Sequence, residues 1–356
     1  MKARAPAFQR NVQSQDKQMN SVNIFKRLCF IATVIALCVV VLGAYVRLTD
    51  AGLGCPDWPG CYGTLTVPES EAAILNAQTA YPDSTVEVGK AWREMLHRYL
   101  AGSLGLLVLA IFVLAWRNRN NSYLRENLST RVVSTFLLAL ISFQAMLGMW
   151  TVTMLLKPAI VSSHLLGGMA TLGTLVWLTF RHHYQSSIVA VSSKLKFFIR
   201  FALVILFGQI FLGGWTSTNY AALACTDFPT CHGSMWPNMD FKDAFHLYRE
   251  LGQNASGGTL SLASITAIQW AHRIGALVTF LYMGKLAIVL MQKSGLKVWG
   301  LLLALVLSIQ IGLGIANLLL HLPLVLAVLH NFFAAVLLII VVTINAKITH
   351  SSTKPV

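Results

Sequence analysis

A chain of 356 residues that is 56% hydrophobic and only 11% charged is not a soluble globular domain, since such domains carry about 25% charged residues. Its formal charge of +14 is not a nucleic-acid footprint either, because the basic residues alternate by loop. Lys2, Arg4, Arg10, Lys17, Lys26, Arg27, Arg117, Arg119, Arg125, Arg131, Arg181, Lys194, Lys196, Arg200, Lys293, Lys297, Lys347 and Lys354 fall on one side of the apolar runs, and Asp50, Asp57, Glu69, Glu71, Asp83, Glu87, Asp227, Asp240, Asp243 and Glu250 on the other, so the positive-inside rule puts both termini in the cytoplasm.

Residues 1–24 read as a polar, basic cytoplasmic tail, with 1–20 expected to be disordered. Eight apolar runs follow, at 25–47, 95–116, 132–154, 159–180, 197–217, 263–290, 298–319 and 324–345, each long enough to cross a bilayer as a helix. The first run is too long for a signal peptide and has no small-residue cleavage site before Thr49 and Asp50. It ends in LGAYVRLTDAGLGCPDWPGCYG, whose Gly, Pro and Asp break the helix and build a compact outer loop. An outer segment without apolar periodicity continues to Lys90. Span 2 then opens with EMLHRYLAGS, which places Glu94, His97 and Arg98 at the mouth of an apolar run. Glu94 and His97 are three apart and share a helix side, and ionisable groups at such depth are costly and functional by default. A basic inner loop leads to span 3 with FQAMLGMW, and the short turn at Leu156–Pro158 makes spans 3 and 4 antiparallel neighbours. Span 4 opens with SSHLLGGMATLG.

The plan then repeats. LGAYVRLTDAGLGCPDWPGC matches LGGWTSTNYAALACTDFPTC, so that Gly43, Cys55 and Cys61 return as Gly213, Cys225 and Cys231, each 170 later. His97 returns as His272, 175 later, and Gln144, Gly148 and His164 return as Gln310, Gly314 and His330, each 166 later. Offsets this steady mark a duplication. The expected architecture is an all-α integral membrane protein: eight transmembrane helices as two tandem four-helix bundles, 25–190 and 191–356, related by a pseudo-twofold along the membrane normal.

Spans 2, 4, 6 and 8 all run from outside to inside, with His97, His164, His272 and His330 near their outer thirds. Each half thus holds two imidazoles at similar depth, the arrangement that axial ligation of a haem iron requires. Small residues follow one turn later at Ala101, Gly167/Gly168, Gly275/Ala276 and Ala334, and Arg98 and Arg273 are placed to meet propionates. Zinc is disfavoured because no clustered thiolates or further imidazoles share that depth. His182, His183, His232, His246, His321 and His350 fall in loops or at span edges and read as solvated, with His232 beside Cys231 and His246 left open. The two halves differ in one acid: Glu94 is matched by Gln269, which keeps the shape but cannot ionise. Glu94 is therefore expected to point into the first pocket and handle protons there, against the plainer reading that it pairs with Arg93 or Arg98. Cys29 and Cys38 in span 1 read as core thiols. Cys55/Cys61 and Cys225/Cys231 face an oxidising compartment and are expected as two disulfides, either structural or redox-active.

The elements GxxVRLTxxGLxCPDWPxC, ExxHR, SSHLLGG, a second outer CxxxxxC, and the second-half HR and HN resemble the haem A synthase family, in the branch shared by proteobacteria and mitochondria, from about Asn23 to Lys347. The resemblance implies oxidation of the C8 methyl of haem O to the formyl of haem A, for cytochrome oxidase, in the bacterial inner membrane. It implies haem O bound in the first half near His97 and His164, a resident haem b on His272 and His330, and Glu94 as the essential carboxylate. Some members of that family have six residues between the first-loop cysteines where this chain has five. The sequence carries no flavin, nicotinamide or iron–sulfur motif, so electrons are expected from an external donor. Haem O synthase as a source of substrate, and a homo-oligomer, are further expectations. Two other readings stand beside this one at this stage: a two-haem b-type electron-transfer protein, and a quinone-linked thiol oxidoreductase using the outer cysteines.

Overall fold

The computed structural model describes residues 7–118, 128–183, 189–254 and 256–350, with backbone alone for 7–18, 128–129, 183 and 349–350. The basic residues Lys2, Arg4, Arg119, Arg125 and Lys354 lie outside the described residues, as does the side chain of His350. In chain order the elements are α1 (Ala7–Leu48), α2 (Glu71–Ala80), α3 (Val88–Arg117), α4 (Leu128–Thr153), α5 (Pro158–His183), β1 (Val189–Val191), α6 (Ser193–Thr218), α7 (Phe241–Ala244), α8 (Leu262–Met291), α9 (Lys297–Leu319), α10 (Leu324–Lys347) and β2 (Ile348–His350). All of these helices except α2 and α7 are long and apolar enough to cross a membrane, eight in total among the described residues. The chain is a multi-pass, all-α membrane protein.

Three elements differ from the sequence expectation. The tail expected to be disordered is helical from Ala7 onward; its Gln, Lys, Arg and Met residues are good helix formers, and the span behind them supplies the costly first turn. Helix α3 starts at Val88 rather than near 95, with Lys90 Nζ 2.8 Å from Glu87 Oε1 across its first turn, so Glu94 sits inside the second turn and not at the mouth. Helix α2 was not foreseen. Ser70 caps it by accepting from the Ala73 N–H, and Ala77 is its single buried residue, so its apolar residues do not gather on one face as a period.

The membrane helices close into two rings. In the first, α1 packs on α3 and α5, and α4 packs on α3 and α5; in the second, α6 packs on α8 and α10, and α9 packs on α8 and α10. The rings meet through α5 against α10, α1 against α10, and α5 against α6. A continuous apolar core fills the space between them, with Phe25, Leu137, Leu172, Leu175, Leu178, Ile199, Leu286, Leu303 and Leu338 fully enclosed. Such a close-packed interior transmits shape and leaves little room for water. At one end the parallel pair β1–β2 ties the chain after α5 to the chain after α10, in register Val189↔Ile348.

His182, expected to be solvated, belongs to this core. It is 1% exposed, its Nε2 lies 3.0 Å from Thr130 Oγ1, and its ring meets Phe25 edge-on at 5.2 Å; pairing with a hydroxyl lets an imidazole be buried at low cost. Cys38, expected in the core beside Cys29, faces outward, while Cys29 is enclosed. Helix α1 turns one stripe to its neighbours, and the two residues, nine apart, fall on different stripes.

The backbone repeats the duplication independently of side chains. Positive φ angles occur at Asp50 and Tyr220, at Tyr62 and His232, and at Gly63 and Gly233, and again at Leu155–Leu156 and His321–Leu322. Non-glycine residues adopt this conformation seldom and only where their surroundings impose it, so its return at the repeat offsets means that the turns themselves were copied.

Candidate functional site

Each of the four membrane histidines rests on a glycine of the helix before it. A Cβ added to Gly43 of α1 would lie 2.9 Å from His97 Cε1 of α3, one on Gly148 of α4 would lie 3.4 Å from His164 Cε1 of α5, one on Gly213 of α6 would lie 3.1 Å from His272 Cε1 of α8, and one on Gly314 of α9 would lie 3.2 Å from His330 Cε1 of α10. Three of these separations are tighter than ordinary van der Waals contact and the one at Gly148 is at its lower edge, so the missing side chain is what lets each ring sit so close. The sequence reading found all four glycines as repeat matches but took the small residues one turn after each histidine as the cradle. Two of those, Gly167 and Gly275, are instead covered by the amides of Gln144 and Gln209. Glycine at a repeat-matched place on the neighbouring helix was the signal for the true seats.

Within each ring the two imidazoles are close enough to interact electrostatically, His97 with His164 and His272 with His330. All four are half-buried. The Nδ1 atoms of His97, His164 and His330 are buried without a hydrogen-bond partner. Their nearest acceptors are the backbone groups of Val39, Gln144 and Gln310, each four residues before the glycine that seats the ring, an arrangement that steadies Nδ1 and leaves Nε2 as the atom to engage a bound group. The fourth ring differs: Gln209 Nε2 lies 3.0 Å from His272 Nδ1 and 3.2 Å from the His272 carbonyl oxygen. The matching place in the first half is Val39, which brings its backbone to His97 but no side-chain amide. Gln310 Nε2 lies 3.3 Å from His330 Nε2.

Above each pair, the outer loop is closed and clamped. Cys55 is disulfide-bonded to Cys61 and Cys225 to Cys231. Asp57 accepts from the N–H groups of Tyr62 (2.6 Å) and Gly63 (2.8 Å), and Asp227 from those of His232 (2.8 Å) and Gly233 (3.0 Å). The Thr230 hydroxyl, followed by those backbone donors, holds the Asp227 carboxyl well below the usual carboxylate range.

The clamp is the membrane helix itself. Glu94 Oε2 accepts from the Cys55 N–H at 3.0 Å, and its other oxygen is ion-paired with Arg98 Nη2 at 2.5 Å. Arg98 also donates to the carbonyls of Asp57 (2.9 Å), Pro59 (3.3 Å) and Gly60. In the second half Gln269 Oε1 accepts from the Cys225 N–H at 2.5 Å. Its Nε2 donates to the carbonyls of Ala222 (2.6 Å) and Cys225 (3.3 Å). Arg273 donates to those of Thr230 (2.8 Å) and Cys225 (3.1 Å). Both arginines, expected at propionates, therefore hold loop carbonyls. Glu94 and Gln269 are each 5% exposed. A buried carboxylate requires such pairing, and Arg98 provides the partner that the sequence reading had weighed as the plainer alternative.

Two open histidines take ordinary places. His232 is exposed, with its Nε2 3.4 Å from Thr266 Oγ1. It lies beside Cys225 and Cys231, but both sulfurs are bonded to each other, so no thiolate is present to bind a metal. His246 is half-buried next to α7. Nearby, Arg249 is 6% exposed and donates to Asn219 Oδ1 at 2.7 Å and the Gln253 carbonyl at 2.9 Å; burial pushes its guanidinium below its ordinary range, opposed by Asp243.

The chain matches the family described as cytochrome oxidase assembly protein (COX15-CtaA) over residues 26–342. A protein named Heme A synthase from Shewanella oneidensis is 45% identical over 325 residues, covering 90% of this chain and 96% of that one. Proteins of the same name from Caulobacter vibrioides and Bacillus mycoides are 28% identical over 332 residues and 25% identical over 353 residues. The first pairing covers 87% of this chain and 91% of the relative, the second 92% and 97%.

Proposed function

The chain belongs to the COX15-CtaA family of cytochrome oxidase assembly proteins, and from that membership we propose that it is a haem A synthase, an oxidoreductase that converts haem O to haem A. The observation that carries this reading is the pair of imidazole couples, each seated on glycines, with a carboxylate beside only one of them. We further propose that the halves are 25–190 and 191–356, related by a pseudo-twofold along the membrane normal. Both termini would be cytoplasmic in the bacterial inner membrane, and the disulfide loops outside it.

In this reading the first half takes haem O between His97 and His164, and the second keeps a haem b on His272 and His330. The residues suit this division. An imidazole that ligates iron through Nε2 carries its proton on Nδ1, and outer partners that accept this proton fix the ring and strengthen the ligand. Gln209 stands at His272 for that purpose: its side-chain amide lies 3.0 Å from Nδ1, and a half-turn of the amide would present its oxygen to accept that proton. His97 has at the matching place the Val39 backbone and no side-chain amide, a lighter hold that suits a ligand that must leave. Bound haem b would supply electron transfer. Hydroxylation of the methyl by dioxygen would take up two protons with the donor's two electrons and release one water, and Glu94, one turn from His97 on α3 and ion-paired with Arg98, is the acid–base group on that side. Electrons from an external donor and haem O from its synthase complete the scheme.

The test is expression in a strain that lacks its own synthase, followed by haem extraction and chromatography. The expected result is haem A beside haem B. Haem O and haem B with no haem A would overturn the assignment.

A further inference from the structure

With Arg98 committed to loop carbonyls and Arg47 to Asp50, the Tyr220 hydroxyl and the Ser217 carbonyl, Arg93 is the described cation near the first pair that makes no ion pair. Arg93 lies four residues before His97 on α3, so it stands one turn outward on the same helix side. Its guanidinium is 5.8 Å from the centroid of the Tyr45 ring, and Tyr45 is two residues beyond Gly43, the seat of His97. Arg93 is half-buried, and among the described residues no acid is ion-paired with it. Its neighbour Glu94 is taken by Arg98 and the Cys55 N–H.

The second half shows that the fold itself does not require a charge here. The matching residue is Ile268, 1% exposed, packed with Trp215 and Ala267. Partial burial of an unpaired cation is unfavourable, so a charge kept in one copy where the other packs a hydrophobe points to a ligand specific to the first half. The Tyr45 ring lies within cation–π reach of the guanidinium, whose planar fork of N–H donors suits a bidentate anion.

We infer that Arg93 binds a propionate carboxylate of the tetrapyrrole substrate and so selects and orients it above His97. This rests on the reading that haem O enters the first half. The test uses the full-length protein carrying its resident haem b, titrated with haem O and separately with haem O dimethyl ester, and read by Soret difference spectra. Arg93→Met should weaken haem O binding roughly tenfold to a hundredfold, as expected for loss of a charged hydrogen bond, and leave ester binding and haem b content unchanged. Arg93→Lys should recover part of the affinity. Unchanged haem O binding in Arg93→Met would assign the guanidinium to lipid headgroups and overturn the inference, as would equal losses for acid and ester. Failure of the unmodified protein to bind haem O, or binding that survives His97→Ala, would instead overturn the first-half substrate site and this assignment with it.

Discussion

The outer thirds of the two halves contain one device made from different side chains. Glu94 receives the Cys55 N–H and Gln269 receives the Cys225 N–H, and in both copies the arginine four residues on grips the same disulfide loop. The comparison separates structure from charge: a glutamine is sufficient to hold the loop, since the second half does so. A neutral side chain can therefore hold such a loop, and the first half adds a carboxylate ion-paired with Arg98 where Arg273 has Asp227 of its loop nearby but makes no ion pair among the described residues. A second contrast runs the other way. The second half adds Gln209 to its histidine, and the first half has Val39. One copy has gained a group suited to chemistry, the other a group suited to retention.

The largest effect expected from this contrast is at the second pair of ligands. His272→Ala or His330→Ala should abolish the low-spin haem b signal of the purified protein, read in optical spectra before and after dithionite, and His97→Ala should leave that signal in place. Unchanged spectra in both second-half variants would break the division of labour. A smaller effect is expected one shell out. Gln209→Val, which copies the first half into the second, should loosen haem b by roughly tenfold, in line with the loss of an outer partner of a metal-ligating histidine. Transfer of haem to apomyoglobin measures this directly. Loss of haem b at the unmodified rate would mean that Gln209 only packs against Gly275.

The eight spans, the duplication and the four histidines were legible in the sequence because they follow from local pattern: apolar length, repeat offset and the rarity of imidazole in apolar runs. What was not legible depends on which helices become neighbours. Gly43 meets His97 and Gly213 meets His272 only because α1 packs on α3 and α6 on α8, a fact that no spacing within one helix encodes. The same holds for Arg98, whose partners at Asp57, Pro59 and Gly60 lie in a folded loop about forty residues upstream. His182 was misread for the reverse reason: a position at a span edge looks solvated until Phe25 and Thr130 are brought over it. The match of Glu94 to Gln269 was visible at once, but its structural half, the loop N–H, was hidden by the same long-range contact.

The central claim is that charge at position 94 serves the reaction and not the fold, and exchanging the two side chains tests it most directly. Glu94→Gln and Gln269→Glu are expressed separately in a strain lacking its own synthase, and their haems are extracted and chromatographed. Glu94→Gln should fold and keep haem b, because Gln269 already holds the equivalent loop. It should lose haem A output by about 10²–10⁴-fold, the usual contribution of a general acid–base group, with a hydroxylated haem O intermediate accumulating. Gln269→Glu should make haem A at close to the normal level. Near-normal haem A from Glu94→Gln would show that the carboxylate is only the loop clamp, and the asymmetry between the halves would then carry no chemistry.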